Sequence, residues 1–537
     1  GDKYPHDQLN DLWETVTFNQ FHDILPGSAI YESNRQSVAR YRETERKAKE
    51  LKGEAFLKMA DEVKFRKGMG QPVVAYNLFP IKRKTLVEAT VYSQEEPATI
   101  KAASWGENYY GKNFKPANED ELATALVRDE TGKSYPAQIV FSKSTPPGYT
   151  SKVQFIDENF PAGGYKTYYI DMAKKGENAT PLKINDNTFE TDYFIVKFDM
   201  NKGAITSLFD KRNHTEYVKE GGELNKLRIY LEDKKGGMKS WNINKIVKEE
   251  DVTNVESVKV VEKGPVRACV ETVKTWGKSR FIERTYLYKS YPRIDYDMEI
   301  HWLETGNDST DSPMLRAHFP LNIQHPRFYC QVPFNVVERP IDGMINGKKA
   351  PSWLTSQSNV YGVTPEAYDG QEVPAQRWVD VTDGTKGIAL LNKTKYGHSY
   401  HNGDLRLTLM RSAGNPDIYP NLGKFTVSYA LYPHAGDWTN GVWQEGDDFN
   451  VPVLAAEPPS LALGKAHATR PESDSFISLN ADGVHMTGIK KAEDAEALVI
   501  RLVEVEGKEK EFSLTLPKNV QTVREINFIE MPIADSI

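Results

Sequence analysis

The apolar spacing of this chain changes once, at Lys67-Gly68-Met69-Gly70, and that change decides most of what it can fold into. Before it, Leu9, Leu12, Trp13, Val16 and Gln20 recur at helical intervals, with Phe21 and Ile24 extending the apolar side. The spacing predicts a helix running to Leu25-Pro26-Gly27, where proline and glycine break it. Ser28 is placed to cap a second helix, with Glu32 in its first turn complementing the dipole. Val38, Tyr41, Ala48, Leu51, Ala55, Met59 and Val63 mark one face of that helix, and the mixed charges from Arg42 to Glu54 read as its solvated side. Two such helices are only part of a bundle, and their apolar faces call for a further partner.

After Gly70 the pattern is β to the end. Val73-Val74-Ala75-Tyr76 and Thr85 to Val91 are short apolar runs, and turn clusters follow at Asp129-Glu130-Thr131-Gly132 and Pro161-Ala162-Gly163-Gly164. Phe194, Val196 and Phe198 alternate into another turn, and Ile282 to Trp302 holds two alternating runs split by Tyr291-Pro292-Arg293. Short strands at regular spacing favour antiparallel sandwiches over a parallel α/β sheet. The expected fold is therefore mostly β, a partial helical bundle followed by several antiparallel β-sandwich domains. The expected divisions are 1–66 (helical), 71–172 (small sandwich), 181–440 (large sandwich) and 450–537 (C-terminal β), with a Lys-, Gly- and Asn-rich linker near residues 172–180.

Composition matters mainly for what it excludes. With 68 basic and 75 acidic residues the net charge is −7, and no long basic run occurs, which argues against a phosphate-tracking nucleic-acid partner. No apolar stretch approaches the roughly 18 residues of a membrane-spanning helix, so no membrane partner is expected. The 2 cysteines, Cys269 and Cys330, are too few for a disulfide framework or a Cys-based zinc site, and read as buried thiols. The opening Gly1-Asp2-Lys3-Tyr4 carries no initiator Met or signal sequence, so upstream sequence is expected and the compartment is not readable. Self-association is left open.

Phe18 to Ser28 is the segment richest in chemistry. His22 can ligate zinc as a neutral imidazole, and Asp23 beside it can bind sugar hydroxyls or orient a ligand. On its own, a lone His near a helix end is more often a cap or core residue. His398 and His401 with Asp404 have metal-ligand spacing, against a plain polar loop. Glu283, Asp295, Asp297 and Glu299 alternate along strands and read mostly as a solvated sheet face.

Asn19 to Ser28, NQFHDILPGS, resembles the zinc-site motif of glycoside hydrolase family 38, the α-mannosidases. The likeness continues in order through Val73 to Asn77, Asp129 to Gln138 (DETGKSYPAQ), Phe160 to Tyr168 (FPAGGYKTY), and Phe198 to Lys211, which ends SLFDK. It goes on through Arg377 to Asp380, Gly387 to Asn392, Lys395 to Gly397, Leu409 to Ser412, Tyr432-Pro433-His434 and Lys490 to Glu504. The resemblance implies that the large sandwich is a galactose-mutarotase-like super-sandwich. It also implies a zinc held by four side chains, of which His22 is the one in this chain, with Asp23 bonding mannose hydroxyls. Asp233 and Trp241-Asn242 lie where related enzymes bring a loop of the large sandwich toward the sugar, which makes Trp241 a stacking face on that resemblance, against a buried core tryptophan.

No His-x-Asp pair precedes His22, although the family's other zinc ligands include one. The resemblance thus implies that the nucleophile, the acid–base carboxylate and the remaining ligands belong to an N-terminal α/β domain outside these residues. It implies a mannose-containing glycan as substrate, a retaining mechanism for the intact enzyme, and no hydrolysis by these residues alone. The competing expectation is a non-catalytic carbohydrate-binding sandwich whose helical start is a docking element.

Overall fold

The computed structural model describes residues 4–101, 115–116, 122–237, 239–341, 344–345, 348–349, 372–456 and 468–533. The protein is mostly β, its sheets antiparallel, with helices at His6–Phe18, Tyr31–Asp61 and Val442–Asn450 among the described residues. The chain divides into two compact units.

The first unit comprises Lys52–Ala179 and Val451–Ile537 with the N-terminal residues through His6. Its six-stranded sheet is built around Gly164–Asp171, which pairs with Gln71–Asn77, Leu126–Asp129 and Ser473–Ser475. Leu454–Ala456 adds to the far side of Gln71–Asn77. A three-stranded sheet of Arg83–Ser93, Gly148–Phe160 and Ala137–Thr145 shares with it a core that includes Val73, Val87, Val127, Val153, Phe155 and Tyr168. Period-two alternation sends these side chains inward. The sandwich foreseen for residues 71–172 thus takes strands from beyond residue 450.

That core contains one charged cluster. Lys166 Nζ lies 2.8 Å from Asp157 Oδ2 and 3.1 Å from Asp129 Oδ2, and donates to Tyr135 Oη at 2.9 Å. Tyr135 and Tyr168 donate to Asp129 and Asp157 at 2.8 and 2.6 Å. Asp129 also accepts from Thr131 and from Lys133 N, so one carboxylate closes the DETG turn and neutralises a buried lysine. Burial opposes the charge on Asp129, but the bonds from Thr131, Tyr135 and Lys166 outweigh it and pull the carboxyl down to about 2.

The second unit comprises Asp7–Leu51 and Thr180–Asn450. A nine-stranded sheet runs from Asn254–Lys263 through Arg267–Trp276, Ser279–Tyr288, Ile294–Trp302, Gly423–Ala435, Lys386–Asn392, Trp378–Thr382 and Arg327–Val332 to Asn335–Arg339. A six-stranded sheet is centred on Lys226–Glu232, Ser312–Pro320 and Asp404–Arg411, and a five-stranded one covers Lys183–Glu216. Their inward faces share one core, with Phe194, Phe198, Leu227, Leu315, Leu390, Tyr429 and Trp302 fully buried. Cys269 and Cys330 are both free and buried.

Several segments that carried the resemblance become long-range buried pairs here. Arg212, just after SLFDK, forks onto the buried Asp210 and donates to Pro433 O at 2.8 Å. Asp380 of the RWVD segment accepts from His434 Nε2 of YPH at 2.8 Å, both side chains buried. Burial works against a charged His434, but Asp380 overrides it and raises the imidazole above its ordinary value.

Candidate functional site

The first helix stops at Phe18, earlier than its spacing predicts. Thr15 and Thr17 turn their hydroxyls back to the carbonyls of Asp11 and Trp13. Beyond Phe18 the chain runs on as overlapping turns, with Gln20 N to Thr17 O (3.1 Å), Phe21 N to Phe18 O (3.3 Å) and Ile24 N to Phe21 O (2.9 Å). Turns of this kind keep residues three apart on one side, so the helical spacing persists without the helix. His22 and Asp23 therefore sit past the helix end, in the turns that follow it.

Ser28 is not the cap of the second helix, which starts at Tyr31 with Ile30 O accepting from Asn34 N. Its hydroxyl donates to Asp23 Oδ1 at 3.1 Å instead. Asp23 Oδ2 lies 3.3 Å from His22 Nε2, and Phe21 packs obliquely on the imidazole with ring centroids 4.2 Å apart. The imidazole remains 77% exposed. The turn thus presents one imidazole and one braced carboxylate outward. Three residues earlier, Asn19 is wholly buried, and neither its amide nitrogen nor its oxygen has a partner among the described residues. Trp13, Phe18, Phe21, Leu25 and Ile30 around it are each more than half exposed.

The start of the second helix is tied to the large sandwich. Asn34 Nδ2 donates to Asp417 Oδ2 at 3.0 Å, and Tyr31 meets Tyr419 edge-on with centroids 5.5 Å apart. The same 415–420 loop accepts a 2.6 Å bond at Asn415 O from Ser240, the neighbour of Trp241. Trp241 is 44% exposed and is no core tryptophan. Its loop is fixed by Arg411, which forks onto Glu232 at 2.7 and 2.8 Å and donates to Lys239 O and Asn242 O. Asp233 opens that loop, its Oδ1 accepting from Lys235 N at 2.9 Å. Spacing gave no signal for the Glu232–Arg411 brace, because the two lie on different strands far apart in sequence.

The His398 constellation does not converge. His398 is buried, and burial pushes its imidazole down to about 4, with Nδ1 against Tyr396 O and Nε2 against Asn392. Asp404 is engaged by His318 Nδ1 at 2.6 Å and by Arg406, and His401 by Asn402. Glu283 and Asp295 lie buried, not on a solvated face, while Glu299 and Asp297 bond to His301 and Ser428. No group of three His, Cys, Asp or Glu that could hold a metal occurs among the described residues. The donor set at residues 22–23 fits one corner of a tetrahedral zinc and is too small to hold the ion alone.

These features define a β-sandwich chain whose helical start displays a His–Asp turn. Its sequence matches three descriptions of one family: "Alpha mannosidase middle domain" over residues 1–59, "Glycosyl hydrolases family 38 C-terminal domain" over 189–419, and "Glycosyl hydrolases family 38 C-terminal beta sandwich domain" over 483–536. The chain belongs to glycosyl hydrolase family 38 and corresponds to that family's middle and C-terminal domains. It is 24% identical to Alpha-mannosidase G of Dictyostelium discoideum over 99% of this chain and 46% of that protein. With Alpha-mannosidase of Saccharomyces cerevisiae it shares 23% identity over 100% of this chain and 41% of that protein. The chain thus spans less than half the length of these curated relatives. The crystal structure of an alpha-mannosidase from Enterococcus faecalis V583 has the same fold over 100% of this chain and 62% of that one, with a TM-score of 0.75 at 17% identity.

Proposed function

We propose that these residues are the scaffold and part of the sugar site of a zinc-dependent retaining α-mannosidase that removes terminal α-linked mannose from glycans. The observation that carries the reading is the exposed His22–Asp23 pair, braced by Ser28, in the segment that matches the α-mannosidase middle domain. In this reading His22 supplies one of four zinc ligands, and the other three come from residues outside the chain described here. Zinc, when bound, would hold the vicinal hydroxyls of the mannose and fix its ring.

Asp23, held by Ser28, would accept hydrogen bonds from the same hydroxyls and so orient the sugar. Trp241 offers an exposed aromatic face on a braced loop, suited to stacking on a pyranose. Asp233 shapes the start of that loop, and this is the role its geometry favours over direct sugar contact. In a retaining mechanism a carboxylate attacks the anomeric carbon while a second carboxyl, roughly 5–5.5 Å away, protonates the leaving oxygen. Both carboxyls are assigned to a catalytic domain of the same polypeptide outside these residues. The exposed apolar side chains from Trp13 to Ile30 and the unpaired Asn19 amide support a covering partner for this segment.

The test is turnover of an aryl α-mannoside. The 537 residues alone are expected to give none. Clear turnover by them, lost on His22→Ala, refutes the assignment of the nucleophile elsewhere.

A further inference from the structure

One stretch of the large sandwich interior is polar and unpaired. On Arg267–Trp276, Ala268 and Val270 enter the apolar core, and Thr272 and Lys274 follow at the same period-two positions. On Ser279–Tyr288, Glu283 and Thr285 stand between the core residues Phe281 and Leu287. The register sets Thr272 opposite Glu283, Thr285 opposite Tyr296, and Tyr296 opposite Tyr429. From the turn that leads into Lys226–Glu232 of the facing sheet, Asn225 accepts the Tyr429 hydroxyl at 2.8 Å. All of these side chains are buried, the most exposed being Lys274 at 5%.

Their hydrogen bonding is incomplete. Thr285 donates to Glu283 Oε1 at 3.1 Å, but Glu283 Oε2, Tyr296 Oη, Thr272 Oγ1 and Asn225 Nδ2 have no partner among the described residues. The Asn225 amide is near enough to Glu283 to help hold its carboxyl down against burial, yet neither Asn225 Nδ2 nor Glu283 Oε2 has a partner at hydrogen-bond distance, and Lys274 feels Glu283 and Glu223 only through space. Gly203, at φ 62°, seals one side: a Cβ there would lie 2.2 Å from the Thr272 methyl carbon. So many dry polar atoms in one spot would be costly and uncommon in a native core.

We propose that a cluster of ordered water molecules fills this site, bonded to Asn225 Nδ2, Thr272 Oγ1, Glu283 Oε2 and Tyr296 Oη and linking Glu283 to Lys274. The unpaired set mixes an amide donor, hydroxyls and a carboxyl oxygen, and water can both donate to and accept from such groups. A cation would need several oxygen ligands and would sit beside an ammonium, whereas the site offers a single carboxylate. Burial raises Glu283 and lowers Lys274, moving both toward neutral forms that water solvates readily. The water would complete a polar link between the two sheets at a place where direct contact falls short.

A crystal structure of the chain at a resolution that shows solvent tests this, for the wild type and for Glu283→Leu and Thr272→Val. The expected map has solvent peaks at about 2.6–3.3 Å from at least three of the four atoms, and fewer peaks in each variant. A direct Asn225–Glu283 hydrogen bond with no solvent peak overturns the proposal. So does a peak surrounded by six or more oxygens at about 2.3–2.6 Å, which marks a cation. The wild-type map decides even if a variant fails to fold.

Discussion

Arg411 and Glu232, on strands of the six-stranded sheet that flank Ser312–Pro320, form a forked ion pair that also holds the Trp241 loop. The guanidinium spends two bonds on the carboxylate and reaches the carbonyls of Lys239 and Asn242 on either side of Trp241. Glu232 is almost completely buried and also accepts from Asn244 N, so one pair sets both ends of the loop. Arg411→Met leaves that carboxylate buried and uncompensated, and should destabilise the unit by about 3–5 kcal/mol. Denaturant unfolding checks this, together with faster amide exchange across residues 233–245. A loss below about 1 kcal/mol, in the range of surface pairs, would show that the brace is idle.

The Lys166 cluster makes the corresponding prediction for the first unit. Lys166→Met strands Asp157 and Asp129 in the core and should cost about 3–5 kcal/mol. The wild type should also lose stability in acid. Asp129 lies below the ordinary carboxyl value of 3.8, at about 2. Its contribution is present above pH 3.8 and is lost as the pH falls through about 2. Asp129→Asn should flatten that part of the pH–stability curve, measured by thermal unfolding.

The helix Val442–Asn450 carries the opposite pH dependence. Arg293 lies 2.6 Å from Asp295 and from Glu445 and 3.5 Å from Asp448, so one guanidinium faces three carboxylates in a buried setting. Burial raises Glu445 to about 7, with Asp448 and Asp295 adding to it and Arg293 opposing. A raised carboxyl favours the folded state below its ordinary value of 4.5, and that contribution is lost as the pH rises through about 7. Glu445→Gln should reduce the fall in melting temperature between these limits. An unchanged slope would place the titrating proton elsewhere.

Much of the architecture could be read from the sequence, because one change of period separates helices from strands and period-two alternation marks the inward faces. The helix end was misplaced because the turns after Phe18 preserve three-residue spacing without the helical bonds. Ser28 carries the signal of a cap but bonds to Asp23, which local pattern cannot distinguish. The joining of Leu454–Ala456 to Gln71–Asn77 was illegible for another reason: strands this far apart in sequence leave no periodic trace of their pairing. Trp241 could be a platform or a core residue on composition alone, and only its exposure separates the two. The family likeness was legible in segments such as DETGKSYPAQ and RWVD, whose Asp129 and Asp380 prove to be buried structural partners.

Ser28 gives a graded test of the sugar site. In a polypeptide that also carries the proposed catalytic domain, Ser28→Ala removes one hydrogen bond to Asp23, worth about 1 kcal/mol. KM for an aryl α-mannoside should rise roughly five-fold with a smaller change in kcat. Asp23→Ala should lower kcat/KM much further. Equal effects of the two changes would mean that Ser28 supports the fold of the turn, not the orientation of its carboxylate.

The most direct measurement is the zinc content and aryl α-mannosidase activity of that longer polypeptide, with and without His22→Ala, beside the 537-residue chain. The longer protein should hold stoichiometric zinc and turn over, and His22→Ala should lose both. The 537 residues alone should hold little zinc and hydrolyse nothing. Full zinc and undiminished activity in the His22→Ala protein would contradict the role given to this imidazole.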